Sequence, residues 1–128
     1  MELEKILGNR TLPTKEIQLK DSNDVWYIFD LNWLDVSGIT NMSNLFRVWH
    51  GGLFDVSKWD VSNVTNMAGL FFGINDFNCD IGNWDVSNVT NMMEMFKGCS
   101  KFNQDISNWD VSSVTNMQSM FSGCVDFN

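Results

Sequence analysis

Positive charge is scarce in this sequence: eight lysines and arginines stand against 16 aspartates and glutamates, giving a formal net charge of −8. Phosphate backbones require a basic stripe, so nucleic acid is excluded as a partner. Anionic lipid surfaces are disfavoured for the same reason. A single histidine, His50, leaves most acid–base and nucleophilic schemes without a proton carrier, and the expectation is that the chain is not an enzyme. Three cysteines, none in a CxxC pair, make neither a disulfide framework nor a zinc site, and no cofactor is expected. No apolar run approaches membrane-spanning length, so no membrane insertion is expected. The first residues, Met1 to Gly8, have neither a basic segment nor a long apolar one, which reads as a mature or cytosolic chain, or one whose leader was removed. Aromatic and sulfur side chains, in contrast, are plentiful: six Trp, ten Phe and eight Met in 128 residues. Such a chain can bury enough surface to offset its ordering entropy, and disorder is excluded.

Those side chains recur. Trp59 to Met67 and Trp84 to Met92 both read WDVSNVTNM, Trp109 to Met117 reads WDVSSVTNM, and Leu34 to Met42 is a looser copy, each 25 residues after the last. A fixed period of this length marks units that bury their apolar faces against one another. Aligned copies give apolar columns: Leu31, Val56, Ile81, Ile106; Leu34, Trp59, Trp84, Trp109; Val36, Val61, Val86, Val111; Met42, Met67, Met92, Met117; and Phe46, Phe71, Phe96, Phe121.

Within one unit, the alternation of Trp84-Asp85-Val86 predicts a short strand. Met92, Met95, Phe96 and Cys99, at i, i+3, i+4 and i+7, predict one helical face, N-capped by Thr90 and ended by Gly98. The expected fold is therefore α/β: a leucine-rich-repeat-like, right-handed solenoid with one short parallel strand and one short helix per 25-residue coil. Residues 30–128 hold about four repeats, and residues 1–29 form an N-terminal cap. In the cap, Glu2 to Leu7 suits a helical turn. Thr14 to Lys20 and Val25 to Phe29 suit two strands around a turn at Asp21 to Asp24, with a short helix over 22–29 as the rival.

Two aspartate ladders, Asp30, Asp55, Asp80, Asp105 and Asp35, Asp60, Asp85, Asp110, place like charges one above another. Either each carboxylate accepts turn amides, or a hard cation is held between coils, in which case Asp55, Asp80 and Asp105 are the candidate ligands. The Asn column (Asn41, Asn66, Asn91, Asn116) suits stacked side chains that satisfy the backbone. Cys99 and Cys124 share a column with Trp49 and Ile74 and read as small buried hydrophobes.

Variation is confined to positions between the columns. The candidate binding residues are Lys58, Asp60, Asn83, Asp85, Asn108 and Asp110 on the strand face, and Arg47, Phe72, Glu94, Lys97 and Gln118 on the helix face. Phe72 and Trp49 are the natural anchors. The first inter-repeat segment, Val48 to Phe54, departs most from the pattern, and Gly51-Gly52 loosens it locally.

The unit from Met95 to Met117, MFKGCSKFNQDISNWDVSSVTNM, resembles the 25-residue repeat of BspA-like surface proteins, the mycoplasma-type repeat of unknown function related to the Treponema pallidum type of leucine-rich repeat. The resemblance implies a cell-surface or secreted protein, in a family rich in lipoproteins, that acts as a non-catalytic adhesion or protein-interaction module. It implies a protein partner such as a host surface or matrix protein. A structural spacer, or a cation-stabilised array without its own ligand, is the alternative. The layer of Trp109, Val111, Met117 and Phe121 has no following repeat in this sequence to cover it. Either the sequence is a fragment of a longer array, or chains self-associate end to end through that C-terminal coil.

Overall fold

In a computed structural model the structure describes residues 16–20, 26–50 and 52–128. The helical turn expected at Glu2 to Leu7 and the turn at Asp21 to Asp24 lie outside these residues. Two strands form where alternation and β-branching predict them: β1 (Glu16–Lys20) runs antiparallel to β2 (Trp26–Asp30). On its other edge β2 pairs in parallel with β3 (Leu53–Asp55), with Ile28 opposite Leu53 and Asp30 opposite Asp55. That offset of 25 carries the repeat register into the sheet.

The remaining architecture corrects the α/β, leucine-rich-repeat-like expectation. Among the described residues no helix occurs, β2 and β3 are the only strands paired in parallel, and most of the backbone is irregular by secondary structure. Where a helix was expected, the amides of Met95, Lys97 and Cys99 donate to the carbonyls three residues back, Met92, Glu94 and Phe96, at 2.9–3.2 Å. Each bond closes a β-turn. The amides between them, Glu94, Phe96 and Gly98, donate instead to Gln118, Met120 and Ser122 of the next repeat, at 2.8–3.0 Å. Every second N–H thus leaves its own unit, whereas an α-helix needs all of them within it. Backbone angles agree: Glu94 and Gly98 have φ of 56° and 81°, outside the helical region.

The expected strand at Trp84 to Val86 is likewise a junction between turns, Ile81 to Trp84 and Val86 to Val89, closed at 3.1 and 3.0 Å. Parallel bridging survives at single residues, where Asn41, Asn66, Asn91 and Asn116 pair successively. Thr90 does not cap a helix. Its amide and hydroxyl both donate to the Thr65 carbonyl, at 2.8 and 3.1 Å, one repeat earlier.

The apolar columns face inward. Val56 and Ile81, Trp59 and Trp84, Met67 and Met92, and Phe71 and Phe96 are all buried. The rings of Phe46, Phe71, Phe96 and Phe121 stack at 5.6–6.1 Å between centroids. A second column pairs with the first, Phe77 on Phe71, Phe102 on Phe96 and Phe127 on Phe121, at 3.9–4.5 Å. Each Trp59, Trp84 and Trp109 indole N–H donates to a carbonyl 28 residues earlier, Leu31, Val56 and Ile81, at 2.8–3.1 Å. Burial and hydrogen bonding therefore join the repeats at the same residues. Cover fails at the last repeat, where Val111 and Met117 are exposed.

Val48, Gly73, Gly98 and Gly123 share one column and all have positive φ, with Val48 at 49°. A β-branched residue in that region is strained, by about 1–2 kcal/mol relative to glycine. Val48→Gly should therefore raise stability by about 1 kcal/mol, since the side chain is half-exposed and gives up little burial. An unchanged or lower denaturation midpoint for this variant would show that the strain is not stored there.

Candidate functional site

The first connection between repeats is built differently from the others, and a cavity results. In the regular units the second phenylalanine column is supplied by Phe77, Phe102 and Phe127; 25 residues before Phe77 stands Gly52. The slot is filled from two residues further on: Phe54 stacks on Phe46 at 4.3 Å and lies 5.7 Å from Phe77. To deliver Phe54 there, the segment extends as β3 against β2, and Gly52 takes φ of 96°. The Trp49 indole N–H donates to the Gly52 carbonyl at 3.0 Å, bracing the detour.

Between this detour and the regular segment 73–80 lies a cavity of about 680 Å³, lined on one side by Trp49, His50, Leu53 and Phe54 and on the other by Ile74, Asp76, Phe77 and Asp80. Asp55 and Cys79 also reach it. This volume falls within the range of ligand-holding clefts. Among the described residues three carboxylates line it, from Asp55, Asp76 and Asp80, and no lysine or arginine does. Burial raises the pKa of Asp55, but bonds from Ser57, Asn32 and Cys79 outweigh it and leave this carboxyl below its ordinary range. Burial pushes the Cys79 thiol up to about 12, so it stays protonated and donates to Asp55 at 3.6 Å. Of the residues singled out from the sequence, the binding candidate Trp49 and the cation-ladder candidates Asp55 and Asp80 line this site. Gly52 in a phenylalanine column was the signal that marked it. The expected exposed anchor is in fact half-buried, with its indole nitrogen already satisfied.

Four of the candidate residues meet elsewhere. The Arg47 guanidinium carbon lies 3.7 Å from the centre of the Phe72 ring and the Lys97 ammonium 5.6 Å from it, while Lys97 pairs with Glu94 at 3.1 Å. Gln118 joins them through its carbonyl, which accepts the Glu94 amide at 2.9 Å. Phe72, half-buried under these cations, is no free anchor.

On the opposite side Lys58, Asn83 and Asn108 form an exposed row, headed by Trp33, which sequence reading missed and which is 44% exposed. Beside it run Asp60, Asp85 and Asp110. Each accepts the amide and hydroxyl of the serine two residues on, Ser62, Ser87 and Ser112, as the turn reading of the ladder requires.

Those bonds, the serine hydroxyl first and its amide second, hold the carboxyls of Asp35, Asp60, Asp85, Asp105 and Asp110 below their ordinary range, although at Asp60 the charges of Asp85 and Asp35 oppose the shift. A pKa depressed by folding contributes stability above the unfolded value, lost as pH falls through the folded one. The melting temperature should be level from neutral pH down to about 5 and drop below about 4. A melting temperature higher at pH 3 than at pH 7 would contradict this assignment. Among the described residues no group of three His, Cys, Asp or Glu side chains is placed to hold a metal, Asp55, Asp80 and Asp105 included. Melting in calcium and in chelator should coincide, and a calcium-dependent rise would restore the cation ladder.

Among the described residues no helix is long and apolar enough to cross a membrane. One family model, described as Mycoplasma protein of unknown function, DUF285, matches residues 21–128. Comparison with curated proteins and with solved structures returns no match.

Proposed function

The chain belongs to the family described as Mycoplasma protein of unknown function, DUF285, and from that premise we propose that it is a non-catalytic protein-interaction module of a surface or secreted repeat protein. The observation that carries this reading is the cavity beside Trp49: among the connections between described repeats, the one that departs most from the pattern is the one that opens a cleft. The resemblance to BspA-like surface proteins supports the location and the adhesive role. The regular units then act as a scaffold that holds the irregular segment rigid, and the partner is an extracellular polypeptide. Surface-immobilised chain should retain defined host matrix and cell-surface proteins. A variant with bulk at the cavity mouth, His50→Trp with Asp76→Trp, should lose that retention while melting like the parent. Equal binding by parent and variant would remove the cavity from the reading.

A second reading is favoured by the last repeat. The amides of Met117, Ser119, Phe121 and Gly123 have no acceptor among the described residues, whereas their equivalents Met92, Glu94, Phe96 and Gly98 each donate to the following repeat. Beside them Met117 and Val111 are exposed. A row of donors over an apolar layer is a template for further backbone. A further repeat fits that template, and for the sequence taken by itself end-to-end association of copies would supply it. Two such faces cannot pair with each other through donors alone, so the contact is head-to-tail. Light scattering should show mass rising with concentration, with these four amides gaining protection from exchange. A monomer at all concentrations would discard it.

A further inference from the structure

We propose that the cavity beside Trp49 receives a cationic side chain, the lysine or arginine of a partner polypeptide, and that this charge selects the partner. The inference rests on the interaction-module reading and adds the chemistry of what is bound. The lining carries Asp55, Asp76 and Asp80, with no lysine or arginine among the described residues to neutralise them. Asp55 and Asp80 each spend Oδ1 on a turn amide, from Ser57 at 2.8 Å and Gly82 at 3.1 Å. Asp76 is exposed, and its carboxylate accepts no hydrogen bond from the described residues. The walls between these charges are aromatic and aliphatic, from Trp49, Phe54 and Phe77. Carboxylates and apolar side chains on one lining suit a charged head on an apolar stem, since the stem gains burial while the head keeps a counter-charge. An anionic side chain would meet repulsion without compensation. Arg47 and Lys97 are engaged with Phe72 and Glu94, and among the described residues neither Lys58 nor Lys101 forms an ion pair with these carboxylates. The net charge of −8 adds long-range attraction for a basic partner.

The test uses the full chain and three acetylated, amidated hexapeptides identical except at a central residue: lysine, norleucine or glutamate. Binding is followed by NMR at the Trp49 indole N–H and the His50 ring. The lysine peptide should shift these signals saturably, bind at least about tenfold more tightly than the norleucine peptide, and weaken as salt is raised. Asp76→Asn should reduce that preference without altering the melting temperature, because its carboxylate holds no described structural bond. Equal affinity of the lysine and norleucine peptides would overturn the cationic assignment while leaving an apolar docking cleft. Binding of the lysine peptide that leaves the Trp49 and His50 signals unmoved would overturn the placement. Failure of all three to bind, in a chain that still retains matrix proteins, would overturn the inference alone.

Discussion

Phe96→Ala should destabilise the protein by about 3–5 kcal/mol. The ring is fully buried and stacks on Phe71, Phe102 and Phe121, at 5.7, 4.3 and 5.6 Å, with Trp109 at 6.2 Å. Its removal opens a void in the stacked column that the neighbouring rings can fill only in part. Phe121→Ala, one repeat further on, should cost distinctly less, since Phe121 is already half-exposed. Urea unfolding of the two variants tests the gradient. Equal losses would mean that the last layer is covered as fully as the third.

The second large effect is expected at Trp84. Its indole is buried and its N–H reaches the Val56 carbonyl at 3.0 Å, but that carbonyl also accepts the Trp59 amide at 3.1 Å. Loss of the indole N–H therefore does not orphan the acceptor. Trp84→Phe should cost about 1 kcal/mol for the bond, plus a burial term for the smaller ring. Trp84→Ala should cost about 3–5 kcal/mol, because burial and not the hydrogen bond dominates. If the phenylalanine variant were as unstable as the alanine variant, the bond would outweigh the packing and this ranking would be wrong.

Particular residues show where sequence reasoning stopped. Met92, Met95, Phe96 and Cys99 point inward as their spacing requires, yet a run of β-turns places the same positions on one side as a helix does. Apolar spacing alone cannot separate the two. Positive φ at Glu94 distinguishes them and leaves no mark in residue type, since glycine holds that position only at Gly69. Cys99 was legible as a buried small residue, whereas Cys124 in the last repeat is only half-buried. That their thiols donate to the Phe71 and Phe96 carbonyls, at 3.0 and 2.9 Å, was not legible. The serine two residues after Asp60, Asp85 and Asp110 made the turn role of those carboxylates readable, because the Asp-x-Ser spacing is itself the geometry of the bond.

Period, register and the inward set of side chains were determined by the sequence by itself, since identical copies 25 residues apart can satisfy their apolar faces only against one another. Tertiary structure decided how the backbone travels within each copy and where the cavity lies. An amide has one proton to give, and whether it goes three residues back or across to the next repeat depends on a neighbour that local propensity does not see. The slot left empty at Gly52 and filled by Phe54 follows the same rule: volume in the core is assigned by what lies above and below, not by position in the chain.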